Sequence, residues 1–166
     1  MLRYPKKFEA LVIGGGHAGC EAAHALSRMG VETLLLTMNI DTIGHMSCNP
    51  AIGGVAKGHL AKEVDALGGV MGLVADASAI QYRRLNTRKG PAVRSSRAQC
   101  DMREYRKQMQ QVMMNLPNLT IKQGAVEDLE LEEQDGAYRV TGVSTKLGEV
   151  CEADVVVSTA GTFLRG

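Results

Sequence analysis

The stretch Ala10-Leu11-Val12-Ile13-Gly14-Gly15-Gly16-His17-Ala18-Gly19-Cys20-Glu21 decides the fold. Residues 10–13 are a short apolar run ending in glycines. From 18 to 29, small and apolar residues then recur at helical spacing until Gly30 stops them. Residues 31–36 resume as a strand, so the stretch reads as a β-α-β unit that closes into a parallel sheet. Gly14 to Gly19 satisfies G-x-G-x-x-G directly after a strand and at the opening of a helix, the context the pattern requires. In such a loop Gly14 permits the tight turn, Gly16 lets backbone approach a pyrophosphate, and Gly19 lets the helix pack close to the sheet. Glu21, placed in the first helical turn, is explained by dipole pairing. A glycine-rich turn that holds no ligand is the plain alternative.

Further along, residues 55–67 form a plausible helix ended by Gly68 and Gly69, residues 84–96 read as a polar loop, and residues 99–116 carry a helical pattern of Met102, Tyr105, Met109 and Val112 or Met113 ended by Pro117. Residues 119–123 should be a third parallel strand. Residues 125–143 alternate around Asp135-Gly136, a hairpin signal, with a further strand pairing through Thr145 and Val150. Residues 153–158 are a continuous apolar strand. The expected fold is α/β: one domain over 1–166, a Rossmann-like doubly wound parallel sheet with a β-meander. A sheet that halts just past a central strand reads as truncated, the first part of a longer protein.

With 45% hydrophobic and 22% charged residues among 166, the composition suits an ordinary core, but at 4% aromatic with no Trp that core rests on Leu, Val, Ile, Ala and Met. No apolar run approaches the roughly 20 residues that span a bilayer, and residues 1–8 carry Arg3, Lys6 and Lys7 without a secretory apolar stretch, so a cytoplasmic location is expected. Cys20, Cys48, Cys100 and Cys151 have neither C-x-x-C spacing nor a His cluster, which argues against a metal site and a disulfide framework.

The net charge of +1 conceals an asymmetry: residues 82–97 hold six bases (Arg83, Arg84, Arg88, Lys89, Arg94, Arg97) and no acid, whereas residues 127–154 hold nine acids against Arg139 and Lys146. The basic segment is a candidate polyanion contact, by nucleic-acid backbone or by a cofactor's own phosphates, beside the simpler reading of a solvated face.

Two further places carry candidate chemistry. The acid expected about 20 residues after the glycines to hold ribose hydroxyls is missing. Thr37 stands there, with Asn39 nearby and Asp41 later, which weakens ordinary NAD binding while leaving Thr37 able to bond a ribose. Cys48 lies in Met46-Ser47-Cys48-Asn49-Pro50-Ala51-Ile52-Gly53-Gly54, a turn shaped by Pro50 and the paired glycines. A thiolate there becomes a nucleophile if a cation or helix N-terminus lowers its pKa, and the following helix with Lys57 and His59 could supply either. An ordinary loop cysteine is the alternative. His17, His45 and His59 are individually uninformative.

Together Gly14 to Gly19, Met46 to Gly54, Lys57-Gly58-His59, Asp65-Ala66-Leu67-Gly68-Gly69, Lys89-Gly90-Pro91-Ala92-Val93, Arg97-Ala98-Gln99 and Gly161-Thr162-Phe163-Leu164 resemble the glucose-inhibited division protein A family, the tRNA uridine 5-carboxymethylaminomethyl modification enzymes. The resemblance runs over almost the entire chain, and Thr37 suits it. It implies an FAD enzyme that, with a GTPase partner, modifies carbon 5 of the wobble uridine of certain tRNAs. The one-carbon unit comes from methylenetetrahydrofolate, and NADH reduces the flavin. On this chain the resemblance implies FAD contacts at Gly14, Gly15, Gly16, His17, Ala18, Gly19, Thr37 and Val126, and Cys48 as one of two cysteines considered for catalysis. Members dimerise and are several times longer, so weak or absent FAD retention and partial or no activity are expected of this length of chain. A different flavin-dependent oxidoreductase, a folate- and FAD-dependent tRNA uridine methyltransferase, and a non-catalytic dinucleotide-binding module remain the other readings.

Overall fold

The computed structural model describes residues 2–46 and 50–161. Along the chain run β1 (Leu2–Arg3), β2 (Phe8–Ile13), α1 (His17–Arg28), β3 (Thr33–Thr37), β4 (Ala51–Gly53), α2 (Lys57–Ala66), α3 (Met71–Ser78) and β5 (Ala79–Leu85). They are followed by β6 (Ser95–Cys100), α4 (Met102–Met114), β7 (Leu119–Gln123), β8 (Val126–Gln134), β9 (Ala137–Thr145) and β10 (Glu149–Ser158). The elements form two compact units, residues 1–43 with 113–166 and residues 44–112.

The first unit is built on a sheet of order β7-β3-β2-β10-β9-β8, with β1 beside β10. β2 pairs in parallel with β3 and with Ala153 to Ser158 of β10, and β3 pairs in parallel with β7. All five residues of β3 and five of six in β2 are buried, as expected of parallel strands covered on both faces. α1 packs over β2 and β3 through a stripe of Cys20, Ala23, His24 and Ser27, and the Ser27 hydroxyl donates to the Pro117 carbonyl. Phe8, Leu11, Ile13, Leu34, Leu36, Val143, Cys151 and Ala153 form one core cluster.

β10 changes partner midway: Val150 to Glu152 pair antiparallel with β9, whereas the following residues run parallel to β2. That change joins the meander to the parallel sheet. β8 and β9 are closed by Asp135-Gly136, both with positive φ (53° and 78°), the two-residue hairpin signal read from the sequence. The further pairing expected through Thr145 and Val150 is the antiparallel β9–β10 ladder, in which Val150 faces Ser144.

The second unit holds a three-stranded antiparallel sheet, β4-β6-β5, with α2 and α3 against β4 and β6. Here the sequence expectation needs correction. Residues 84–96 are a polar loop only over 86–94. They comprise the end of β5, a connection with a short turn at Pro91–Val93, and the start of β6. Arg, Gln and Ser alternate on these strands with almost no apolar period, and pairing supplies the order that patterning does not announce. The helix expected from residue 99 starts at Met102, because Gln99 and Cys100 belong to β6 and Asp101 caps the helix, its Oδ1 accepting from the N–H of Arg103 (2.8 Å) and of Glu104 (3.0 Å). α3 is an additional helix that the sequence reading did not contain.

Candidate dinucleotide-binding loop

The loop begins where β2 ends. The Gly14 N–H donates to the Leu36 carbonyl at 2.8 Å, and its φ of +104° is one that L side chains rarely adopt. Gly19 is required for a different reason: a Cβ there would lie 1.8 Å from the Gly14 carbonyl oxygen, so only glycine lets α1 sit this close to the turn. Gly15 is buried between Ile43 and Thr37, and the Cys20 thiol donates to its carbonyl at 3.5 Å. The turn is therefore clamped from the sheet side and the helix side.

Gly16 differs from its neighbours. It is exposed, its backbone is extended (φ −75°, ψ −174°), and a Cβ built on it meets nothing within 4 Å. It caps α1 without a side-chain hydrogen bond, and the first turn holds no acid. The helix thus starts at His17 with an exposed backbone approach and no carboxylate of its own, an arrangement suited to a phosphate group. Glu21, expected in the first turn, lies in the second, so the dipole-pairing explanation lapses. His17 is half-buried and Ala18 exposed.

Thr37 closes β3, buried, with its hydroxyl donating to the Asn39 carbonyl at 3.3 Å. Asn39 accepts from the Asp41 N–H at 2.8 Å and so opens a short turn over Ile40–Thr42, which leaves Asp41 exposed. No carboxylate takes the place of Thr37 at the strand end. Val126 opens β8, half-buried against the core cluster. A residue the sequence reading passed over is Thr159, whose hydroxyl donates to the carbonyls of Ile13 (2.7 Å) and Gly14 (3.3 Å), pinning the loop from the end of β10. A threonine just past the strand that pairs with β2 was the available signal.

Cys48, with Ser47 and Asn49, lies outside the described residues. The other three cysteines are buried thiols, and burial pushes the Cys151 thiol up. Burial likewise lowers the His24 imidazole. Among the described residues no group of three His, Cys, Asp or Glu side chains could hold a metal ion, and no helix is long and apolar enough to cross a membrane.

In the second unit β5 and β6 place Arg83 opposite Arg97 and Gln81 opposite Gln99. α2 starts from a strained backbone: Ala56 has φ 71° and ψ −71°, and the Lys57 N–H donates to the Val55 carbonyl at 3.1 Å, a γ-turn.

The family model for glucose inhibited division protein A matches residues 9–166. The chain belongs to this family. Among curated relatives it is 58% identical over its whole length to the tRNA uridine 5-carboxymethylaminomethyl modification enzyme MnmG of Geobacter sulfurreducens, and 54% identical over 99% of its length to that of Protochlamydia amoebophila. It spans 26% of the length of each. The crystal structure of GidA from Aquifex aeolicus superposes on 95% of the chain with a TM-score of 0.87 and 52% identity, and the chain covers 25% of it. The α/β fold with its parallel-rich sheet is therefore that of the glucose-inhibited division protein A family. In this member the glycine turn is held by Thr37, Cys20 and Thr159 together.

Proposed function

We propose that this chain supplies the dinucleotide-binding portion of an FAD-dependent enzyme that adds a carboxymethylaminomethyl group to carbon 5 of the wobble uridine of tRNA. The observation that carries the reading is the exposed, extended Gly16 at the uncapped start of α1, within a chain whose curated relatives bear that activity in their names. Residues 1–166 belong on this reading to one FAD-binding domain. Bound there, FAD would supply hydride and electron transfer to and from a folate-borne one-carbon unit.

The chain's own residues bind and orient. The N–H groups at Gly16, His17 and Ala18 hold the pyrophosphate, Gly14, Gly15 and Gly19 keep the turn tight, Thr37 faces the ribose and Val126 flanks the adenine. The absence of a carboxylate beside Thr37 departs from the ordinary NAD pattern, and the Thr37 hydroxyl takes its place at the ribose. Cys48 is assigned to catalysis near the flavin, on the resemblance of its loop. A GTPase partner, NADH and methylenetetrahydrofolate as co-substrates, a homodimer and a cytoplasmic location complete the proposal, with weak or absent FAD retention and partial or no turnover by these 166 residues alone.

Two measurements test it. Titration of the chain with FAD, followed by flavin fluorescence, should show weak saturable binding even where no flavin is retained through purification, and stoichiometric flavin retained by the purified chain would defeat the expectation of weak binding. Replacing Cys48 by Ser in a full-length family member carrying this sequence should abolish wobble-uridine modification, read by nucleoside mass spectrometry; unchanged turnover would remove Cys48 from catalysis.

A further inference from the structure

We propose that the β5–β6 ribbon of the second unit is a docking face for RNA phosphates. The proposal rests on tRNA being the substrate and names where its backbone is held. On one face of the ribbon Arg83 sits directly across from Arg97, flanked by the Gln81–Gln99 pair and by Leu85, and these five residues line a depression of about 220 Å³. Like charges placed directly opposite on a ladder destabilise it, so an Arg–Arg pair is a cost unless an anion lies between them. Nothing in the ribbon provides one: residues 77–100 contain no acid. Among the described residues none of Arg83, Arg84, Arg88, Lys89, Arg94 and Arg97 makes an ion pair.

The tip between the strands is ordered by its own bonds. Asn86 Nδ2 donates to the Val93 carbonyl (3.0 Å), Arg94 Nε to the Lys89 carbonyl (2.9 Å), and the Lys89 N–H to the Asn86 carbonyl (2.9 Å). Arg88 and Lys89 are thereby carried, exposed, at the end of a stitched turn. Two guanidiniums that can each fork onto phosphate oxygens, two carboxamides beside them and two more cations at the tip match a phosphodiester backbone. RNA is favoured over a single dinucleotide because the cations run the length of the ribbon and its tip, beyond the one depression.

The test is fluorescence anisotropy of the 166-residue chain with a labelled tRNA transcript over a range of NaCl concentrations. The wild-type chain should bind with log K falling linearly in log salt. Arg83→Gln with Arg97→Gln should weaken binding on the order of tenfold and reduce the slope by about one per arginine. Arg83→Lys with Arg97→Lys should keep the slope, and Lys146→Gln, on the acidic meander, should change neither. Thermal melts establish that each variant folds, and the Gln pair should melt no lower than wild type because it removes the repulsion. Absence of tRNA binding by the wild type at low salt, wild-type affinity and slope in the Gln pair, or displacement of tRNA by excess FAD would each overturn the proposal. Ribbon-dependent tRNA binding in a chain that binds no FAD would uphold this docking face while defeating the flavin assignment.

Discussion

The two units answer the same question, how to place charge on an α/β surface, in opposite ways. In the parallel-sheet unit the cations of the sheet are matched locally: Arg3 with Glu152, Lys6 with Glu32, Lys7 and Arg139 with Asp154, and Lys122 with Glu149. In the other unit the β5–β6 ribbon sets six cations on an acid-free segment without an ion pair among the described residues. The first arrangement is self-sufficient and suits a scaffold. The second is incomplete in electrostatic terms and suits a surface whose counter-charge arrives with a ligand. A similar contrast appears within the glycine turn, where Gly14, Gly15 and Gly19 are fitted against protein atoms and Gly16 is fitted against none.

The contrast is sharpened first by the core. Phe8→Ala should cost about 3–5 kcal/mol, since Phe8 is 1% exposed within the main cluster, and the loss should be read as faster hydrogen exchange in β3. Gly19→Ala comes next. The added methyl collides with the Gly14 carbonyl, and displacement of α1 should cost about 1–3 kcal/mol, a fall in Tm of several degrees. If Gly19→Ala melts with the wild type, the turn is looser than its geometry states.

Acid sensitivity probes the start of α4 in the second unit. The N–H groups of Glu104 and Arg103 hold the Asp101 carboxyl below its usual value near 3.8. With the folded pKa depressed, Asp101 contributes stability above the usual value, and that contribution is lost as pH falls through the lower folded value. Asp101→Asn keeps a capping acceptor, so its melting temperature should fall less steeply than wild type below about pH 4. Identical acid limbs would contradict the cap. The smallest effect is expected at Arg97→Gln, which relieves the pairing with Arg83 and should leave the melting temperature unchanged or raised by about 0.2–1 kcal/mol equivalent in the ligand-free chain.

Much of the first unit was legible in the sequence because its signals are local and apolar. A short hydrophobic run into glycines, a small-residue helix stopped at Gly30, and Asp135-Gly136 between alternating strands each specify one structure. The register of β10 was legible only in part, since a strand that changes from antiparallel to parallel partners midway shows the same apolar run in either role. The ribbon was missed because its larger apolar residues are exposed, Ile80 at 70% and Tyr82 at 60%, while the positions it buries carry small side chains, Ser95, Ala98 and Cys100, which imprint little apolar period on the sequence. Thr159 was missed because its partner, the Gly14 carbonyl, is 145 residues away and only the sheet brings them together.

The central claim is that the open flank of Gly16 is reserved for a dinucleotide phosphate. It is tested most directly by comparing FAD titrations of the wild type and Gly16→Asp. Gly16 already has a φ of −75° and meets no atoms where a side chain would start, and aspartate is a good N-cap. The variant should therefore melt at or slightly above the wild-type temperature while its weak, saturable FAD binding disappears, because a carboxylate then occupies the phosphate position. Equal FAD affinity in a normally folded Gly16→Asp would contradict the account.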